Sequence, residues 1–192
     1  MKNKKIIYWV VLLVVLLVLG FLKFSKEKNS LPSNANGKKT KAYAVLTLDS
    51  STKSFSVGDT FMVSVTLDTD GKPVDGVDVY SLHYDPKILS VVDDMPNTSG
   101  VQVSPGTAFG ISAMNLVDTT TGSISFSQVS NGGTSFKGKG VIAKINFKAI
   151  APGKVELKFD FKPGNTIDTN AAYHGEDMLT AATGATYTIS PK

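Results

Sequence analysis

From Tyr43 to the end of the chain, apolar and polar residues alternate in short runs that are separated by turn residues. In "FMVSVTLD" and "KVELKFDF" every second residue is apolar, and "SISFSQV" repeats the pattern. A period of two predicts strands with one buried face. In "VIAKINFKA" the predicted inward residues are Val141, Ala143, Ile145, Phe147 and Ala149. About nine such strands predict an all-β sandwich of two sheets, with "AVLTLD" and "GATYTIS" as edge strands.

The stretch "VYSLHYDPKILSVV", Val79 to Val92, interrupts this pattern with Asp85-Pro86 and then restarts an apolar run. Proline lacks an N–H and disfavours helix at the residue before it, so the first strand ends there. We expect a corner at which the chain turns toward the other sheet. Tyr84 and Leu89 are the predicted core residues on its two sides.

A different apolar pattern precedes the domain. Ile6–Leu22 holds 17 residues without a charge, which approaches the roughly 20 apolar residues of a membrane helix. The alternative is a cleaved signal peptide, but its apolar region is usually about 7–15 residues and ends at a small-residue site that "GFLKFSKEKNS" lacks. We therefore expect a cytoplasmic segment over 1–5, a transmembrane helix over 6–24, a flexible linker over 25–42 and an extracellular domain over 43–192 of a single-pass cell-membrane protein.

Charge separates the same two parts of the chain. All 20 basic residues are lysines; nine occur up to Lys41 against one acid, whereas the rest of the chain has eleven lysines and fifteen acids. The basic residues flank the apolar run and the domain is mildly acidic, which excludes nucleic acid as a partner. The chain has no cysteine, which excludes disulfides and a cysteine-linked lipid anchor.

Five stretches of the domain form a recognisable series: "SVGDTFMVSVTL", "GVDVYSLHYDPKILSVV", "GSISFSQVSNGG", "GKGVIAKINFKAIAPGKVELKF" and "GEDMLTAATGATYTI". In this order they resemble the cohesin domain family over about Tyr43 to Ile189. The resemblance implies a jelly-roll β-sandwich that binds dockerin modules, in which the dockerin carries the calcium. It implies binding and not catalysis.

The alternation also predicts which side chains face outward. If Tyr80, Leu82 and Tyr84 point into the core, the residues between them point to solvent, and the serines beside Ile124 and Phe126 do the same. The resemblance implies that this sheet, with a preceding strand over Ala108–Val117, receives the dockerin. The candidate partner-binding residues are Val79, Ser81, His83, Ser112, Met114, Ser123, Ser125 and Ser127.

One departure from the family concerns the first of these strands. Cohesins that pair with dockerins often carry an outward Asp or Asn there. The strand in this chain has one extra residue, and it offers Val79 or, in another register, Asp78. The alternative is that the serines only solvate an outer sheet face.

Catalytic and metal sites find little support in the sequence. The two histidines, His83 and His174, occur without a nucleophile motif, so we predict no enzyme. We predict no cofactor; the one calcium hypothesis is a loop in which four oxygen-bearing side chains converge, and ordinary turn chemistry is the competing interpretation. Its residues are Asp168, Asn170, Glu176 and Asp177.

Three functions remain. The first is recognition of a dockerin-like module or another cell-surface protein, with an indirect link to polysaccharide degradation. The second is direct carbohydrate binding, although flat sugar sites need exposed aromatic residues and the single tryptophan is Trp9, in the apolar run. The third is a structural role as a surface spacer.

Overall fold

The computed structural model describes residues 41–192. The expectations for residues 1–40, including the membrane helix, lie outside them. Within 41–192 every regular element is a strand, and none of these residues belongs to a helix with the length and apolar character of a membrane span. The strands are β1 Ala44–Asp49, β2 Ser54–Ser56, β3 Thr60–Asp68, β4 Gly76–His83, β5 Leu89–Val91, β6 Ser104–Pro105, β7 Ile111–Asp118, β8 Ser123–Val129, β9 Lys139–Ala149, β10 Gly153–Phe159, β11 Asn170–Tyr173, β12 Glu176–Asp177, β13 Leu179–Thr183 and β14 Ala185–Ser190.

These strands form two sheets, so the predicted all-β sandwich is confirmed. Sheet 1 has the order β13-β1-β3-β9, and both β5 and β6 pair with the remaining edge of β9. In sheet 2, β7, β8 and β4 are neighbours, and the sheet continues through β10 to β14 and β2. Because β8 occupies one edge of β4, β10 and β11 share the other edge.

The two predicted edge strands lie inside their sheets. β1 has β13 and β3 as neighbours, and β14 has β10 and β2, so the edge prediction is wrong for both. The cause is that the short strands β13 and β2 pair with the outer edges of β1 and β14, and at Gly184 the chain leaves sheet 1 after β13 and enters sheet 2 as β14. A Cβ at Gly184 would lie 2.3 Å from the Leu157 carbonyl oxygen, so only glycine fits this crossing.

The inner faces are formed by the alternating residues that the sequence pattern predicts. Phe61, Val63, Val65 and Leu67 of β3 are buried, as are the corresponding residues of β10. One prediction is wrong: Val141 is only half-buried, and Ile142 takes the inward position. Val65 pairs with Ala143 while Thr66 pairs with Val141, so a β-bulge inserts Ile142 and shifts the alternation by one residue.

The Asp85-Pro86 corner connects the two sheets, as expected. β4 belongs to sheet 2 and β5 to sheet 1, and the Asp85 carbonyl oxygen accepts the Leu89 N–H at 3.0 Å. Tyr84 and Leu89 are both buried, which confirms both core predictions. The Tyr84 ring lies 5.5 Å from the ring of Phe147 in sheet 1. The corner therefore packs against both sheets.

Replacement of Leu89 tests this arrangement. Leu89→Ala should lower the free energy of unfolding by about 2–5 kcal/mol, because it removes a fully buried leucine and leaves a cavity. Urea denaturation measures the change, and Val92→Ala, at an exposed position of the same segment, is the control. A loss below about 0.5 kcal/mol for Leu89→Ala would contradict the packing of the corner.

Candidate functional site

β4 contains a bulge at the centre of sheet 2. Val79 pairs with Phe126 and Leu82 pairs with Ile124, so two residues of β4 stand opposite the single residue Ser125. Because Phe126 and Ile124 point into the core, Val79 and Leu82 point there as well. The two residues that stand opposite Ser125, Tyr80 and Ser81, lie on the outer side, as a β-bulge of this kind requires.

This bulge corrects the predicted orientation of β4. Val79 is fully buried, so its prediction as an outward binding residue is wrong, and Tyr80, which was predicted inward, is 55% exposed. Ser81 is on the outer side but only 5% exposed, whereas His83 is exposed as predicted. Strict alternation fails here because the bulge adds one residue between the two core positions. The sequence signal was the extra residue in this strand.

The serines around the bulge satisfy polar groups that the interrupted ladder leaves free. The Ser125 hydroxyl donates to the Tyr80 carbonyl oxygen at 2.6 Å, and the Ser81 and Ser123 hydroxyl oxygens are 2.6 Å apart. Ser123, Ser125 and Ser127 are half-buried between inward neighbours, which agrees with their predicted orientation. They therefore stabilise the bulge as well as covering the sheet.

β7 is the edge strand beside β8, and it carries most of the exposed apolar side chains of sheet 2. Met114 pairs with Ser127 and is exposed, as expected. Ser112 is also exposed, but it pairs with the buried Gln128, so it lies on the other side of β7, in a groove that Met95 also lines. By its pairing Ser112 is thus on the opposite side of β7 from Met114, but both residues border this groove.

The outer side of the three strands forms one continuous surface, which we call the β4–β8–β7 face. Nine large apolar side chains are exposed in residues 41–192, and five of them lie on this face, which makes it the main apolar surface of the domain. Tyr80, Ile111, Leu116 and Val129 were not predicted here; the available signal was the pair of apolar residues Met114 and Leu116, two positions apart in β7. The side chains of the face are Asp78, Tyr80, His83, Ile111, Met114, Leu116, Asp118, Ser123, Ser125, Ser127 and Val129.

Besides the exposed Asp118 at the end of β7, which pairs with Ser123, the β4–β8–β7 face has a second carboxylate in Asp78. Asp78 pairs with Ser127 of β8 and with Asn170 of β11, which places it on the outer side in the register that the sequence offered as the alternative to Val79. Its Oδ1 atom is buried and has no hydrogen-bond partner among the described residues. Burial raises the pKa of the Asp78 carboxyl above its ordinary value, because removal from water disfavours the charged form.

Two of the three acidic residues of the calcium hypothesis accept hydrogen bonds from the backbone. The Asp168 Oδ2 atom accepts the Lys162 N–H at 2.7 Å, and the Asp177 Oδ1 atom accepts the N–H groups of Ala171 and Leu179. In the part of the chain that the structure describes, no group of three or more His, Cys, Asp or Glu side chains is placed to hold a metal ion. Asp168 and Asp177 thus order the backbone in the manner of ordinary turn chemistry, whereas Glu176 is exposed and the Asp168 Oδ1 atom is buried without a partner among the described residues.

Comparison with known proteins gives a family and a fold. The model of the cohesin domain family matches residues 44–185. No curated protein matches the chain. The structure is similar to a type II cohesin domain from the cellulosome of Acetivibrio cellulolyticus, with a TM-score of 0.60 and 17% identity over 77% of this chain and 95% of the other.

Two further solved structures are similar. A chain of a type I cohesin–dockerin complex from Clostridium thermocellum has a TM-score of 0.57 and 15% identity, over 77% of this chain and 99% of its own length. CaCohA2 from Clostridium acetobutylicum has a TM-score of 0.53 and 21% identity, over 78% of this chain and 92% of its own. At these identities the likeness establishes the fold.

The burial of Asp78 predicts a pH-dependent stability. Because the pKa of Asp78 is raised on folding, the folded domain holds this proton more tightly than the unfolded chain does. The contribution of Asp78 is thus most favourable below its ordinary pKa of 3.8 and becomes unfavourable as the pH rises through the folded value. Asp78→Asn should raise the Tm at pH 7 and leave it nearly unchanged at pH 3.5.

Thermal melts of the wild type and Asp78→Asn at both pH values measure this difference. Glu156→Gln, at an exposed position of β10, is the control for loss of one negative charge. An equal rise in Tm for both variants at pH 7 would attribute the effect to net charge and contradict the role of burial.

Proposed function

Since the chain belongs to the cohesin domain family, we propose that its sandwich is a protein-recognition module and that the β4–β8–β7 face binds a dockerin-type partner. The observation that supports this most directly is the collection of exposed apolar side chains on that face. Monomeric domains rarely expose large contiguous apolar patches, and those that do use them as interaction sites.

The shape of the face favours a protein partner. Tyr80 and Leu116 stand on either side of Ser125, and Met114 stands beside Ser127, so large side chains alternate with small ones across the strands. Such a surface accepts side chains of a packed helix between its own, which produces the dense apolar centre of a protein interface. Asp78 adds an unpaired acceptor, and we therefore expect the partner to place a donor or a cation opposite it.

Direct carbohydrate binding has less support. Sugar-binding platforms stack several exposed aromatic rings against the ligand. Of the two aromatic residues in β4, β7 and β8, Phe126 is buried and only Tyr80 is exposed. A link to polysaccharide would thus come through the protein that the domain binds.

The proposed location has its support in the sequence alone. The uncharged run Ile6–Leu22 would anchor the chain in the cell membrane as a single span, with residues 25–42 as a linker and the domain outside. This arrangement would display the β4–β8–β7 face to secreted or surface-bound partners.

The function is tested by a charge placed in the centre of the face. Leu116→Arg should lower the affinity for a dockerin module by about 30-fold or more, which is the effect of losing an interface hot spot. Isothermal titration against a panel of recombinant dockerin modules measures the change. Met62→Arg is the matched control, because Met62 is similarly exposed on the outer side of sheet 1. Wild-type affinity in Leu116→Arg would exclude the face as the binding site.

The location is tested on intact cells. External protease should remove the domain and leave a short anchored stub, because we expect the residues from Tyr43 onward to lie outside. A domain that stays protected until the membrane is permeabilised would reverse the orientation. A released protein with a mature N-terminus near Ser25 would replace the anchor with a signal peptide.

A further inference from the structure

The connection between β10 and β11, residues 160–169, lies beside the bulge of β4, at the strand edge that faces away from β8. β10 pairs with Leu82 and His83 of β4, and β11 pairs with its first residues, Gly76 to Asp78. The connection therefore leaves and rejoins the sheet on either side of Val79–Ser81. The Asp160 N–H donates to the Ser81 carbonyl oxygen at 2.8 Å, and the Thr169 N–H donates to the Asp160 carbonyl oxygen at 3.0 Å.

In this loop an apolar side chain is exposed and a charged side chain is buried, which is the reverse of the usual pattern. Ile167 is 80% exposed, the largest exposure among the exposed apolar side chains of the described residues, whereas its neighbour Asp168 is only 4% exposed. Folding ordinarily buries the isoleucine and leaves the carboxylate in water. A loop that does the opposite gives up stability, and such sites are expected where function requires them.

The loop is held in this conformation by its own hydrogen bonds. Asp168 accepts the Lys162 N–H through Oδ2, and the Asn165 N–H donates to the Lys162 carbonyl oxygen at 3.0 Å. Pro163 fixes one backbone angle, and Gly164 has a φ of +78°, a value that other residues rarely adopt. Because the loop is ordered before binding, Ile167 can enter an interface with little further loss of entropy.

We propose that Ile167 is an apolar anchor that extends the β4–β8–β7 face beyond β4, and that it contacts the same dockerin-type partner. This inference rests on the proposed function. The occupant follows from continuity: the base of the loop is bonded to Ser81, next to Tyr80, so a partner that covers Tyr80 and reaches past β4 meets the loop. The partner would present an aliphatic side chain to Ile167. Asp168 is a positioning residue, because it acts through the Lys162 N–H.

The test uses the full-length protein and a recombinant dockerin module that binds the wild type. Ile167→Ala should weaken binding about tenfold, which corresponds to ~1.4 kcal/mol, and should leave the Tm unchanged because the side chain is exposed. Ile150→Ala is the matched control: Ile150 is an exposed isoleucine at the other end of β10, and its replacement should leave the affinity unchanged.

Asp168 is tested by a pair of substitutions. Asp168→Ala removes the acceptor for the Lys162 N–H and should reduce affinity as much as Ile167→Ala does, with no further loss when the two are combined. Asp168→Asn retains an acceptor oxygen and should restore most of the affinity. Independent losses that multiply in the double variant would overturn the positioning role.

The outcomes separate this inference from the function on which it rests. Wild-type affinity in Ile167→Ala, together with weak binding by Leu116→Arg, would overturn the anchor and leave the β4–β8–β7 face as the binding site. A wild type that binds none of the dockerin modules would overturn both.

Discussion

Two core positions of β4, Val79 and Leu82, are three residues apart, and this spacing determines the surface on the other side of the sheet. An uninterrupted strand would turn one of the two apolar side chains into water, because successive residues face opposite sides. The bulge keeps both in the core and places Tyr80 and Ser81 together on the outer side. The bulge also places Asp78, the residue before Val79, on the outer side. The apolar and charged groups of the β4–β8–β7 face thus follow from a constraint of the core.

A bulge interrupts the ladder and leaves backbone groups that need partners, and the chain supplies these from both neighbours of β4. On the β8 side, the Ser125 hydroxyl reaches the Tyr80 carbonyl oxygen. On the other side, the Asp160 N–H reaches the Ser81 carbonyl oxygen. β10 pairs with β4 only at Leu82 and His83, and from Asp160 onward the chain leaves the sheet in the loop that presents Ile167. The bulge and the loop are therefore one structural feature.

Much of this architecture follows from the sequence, and the errors in side-chain orientation have a common cause. The alternation in β3 and β10 and the corner at Asp85-Pro86 predicted buried residues correctly, because each depends on local geometry. Val79 and Val141 were assigned wrongly because each lies beside a bulge, and a bulge is set by pairing with a distant strand. The exposed residues Leu116 and Ile167 were missed for a related reason: their hydrophobicity alone predicts burial, and only the edge position of β7 and the loop conformation expose them.

The β4–β8–β7 face combines groups that together restrict the partners it accepts. A partner with an entirely apolar surface would gain contacts with Tyr80 and Leu116, but it would also cover the remaining water around Asp78 without offering a donor. The cost of leaving a buried charge unpaired is several kcal/mol, comparable to the gain from burying one or two large side chains. A partner with a donor in the right place avoids that cost and also supplies a hydrogen bond to the Oδ1 atom of Asp78, which has none among the described residues. Asp78 therefore discriminates between partners, because a surface without a donor binds less well. The apolar side chains around Asp78 provide the affinity.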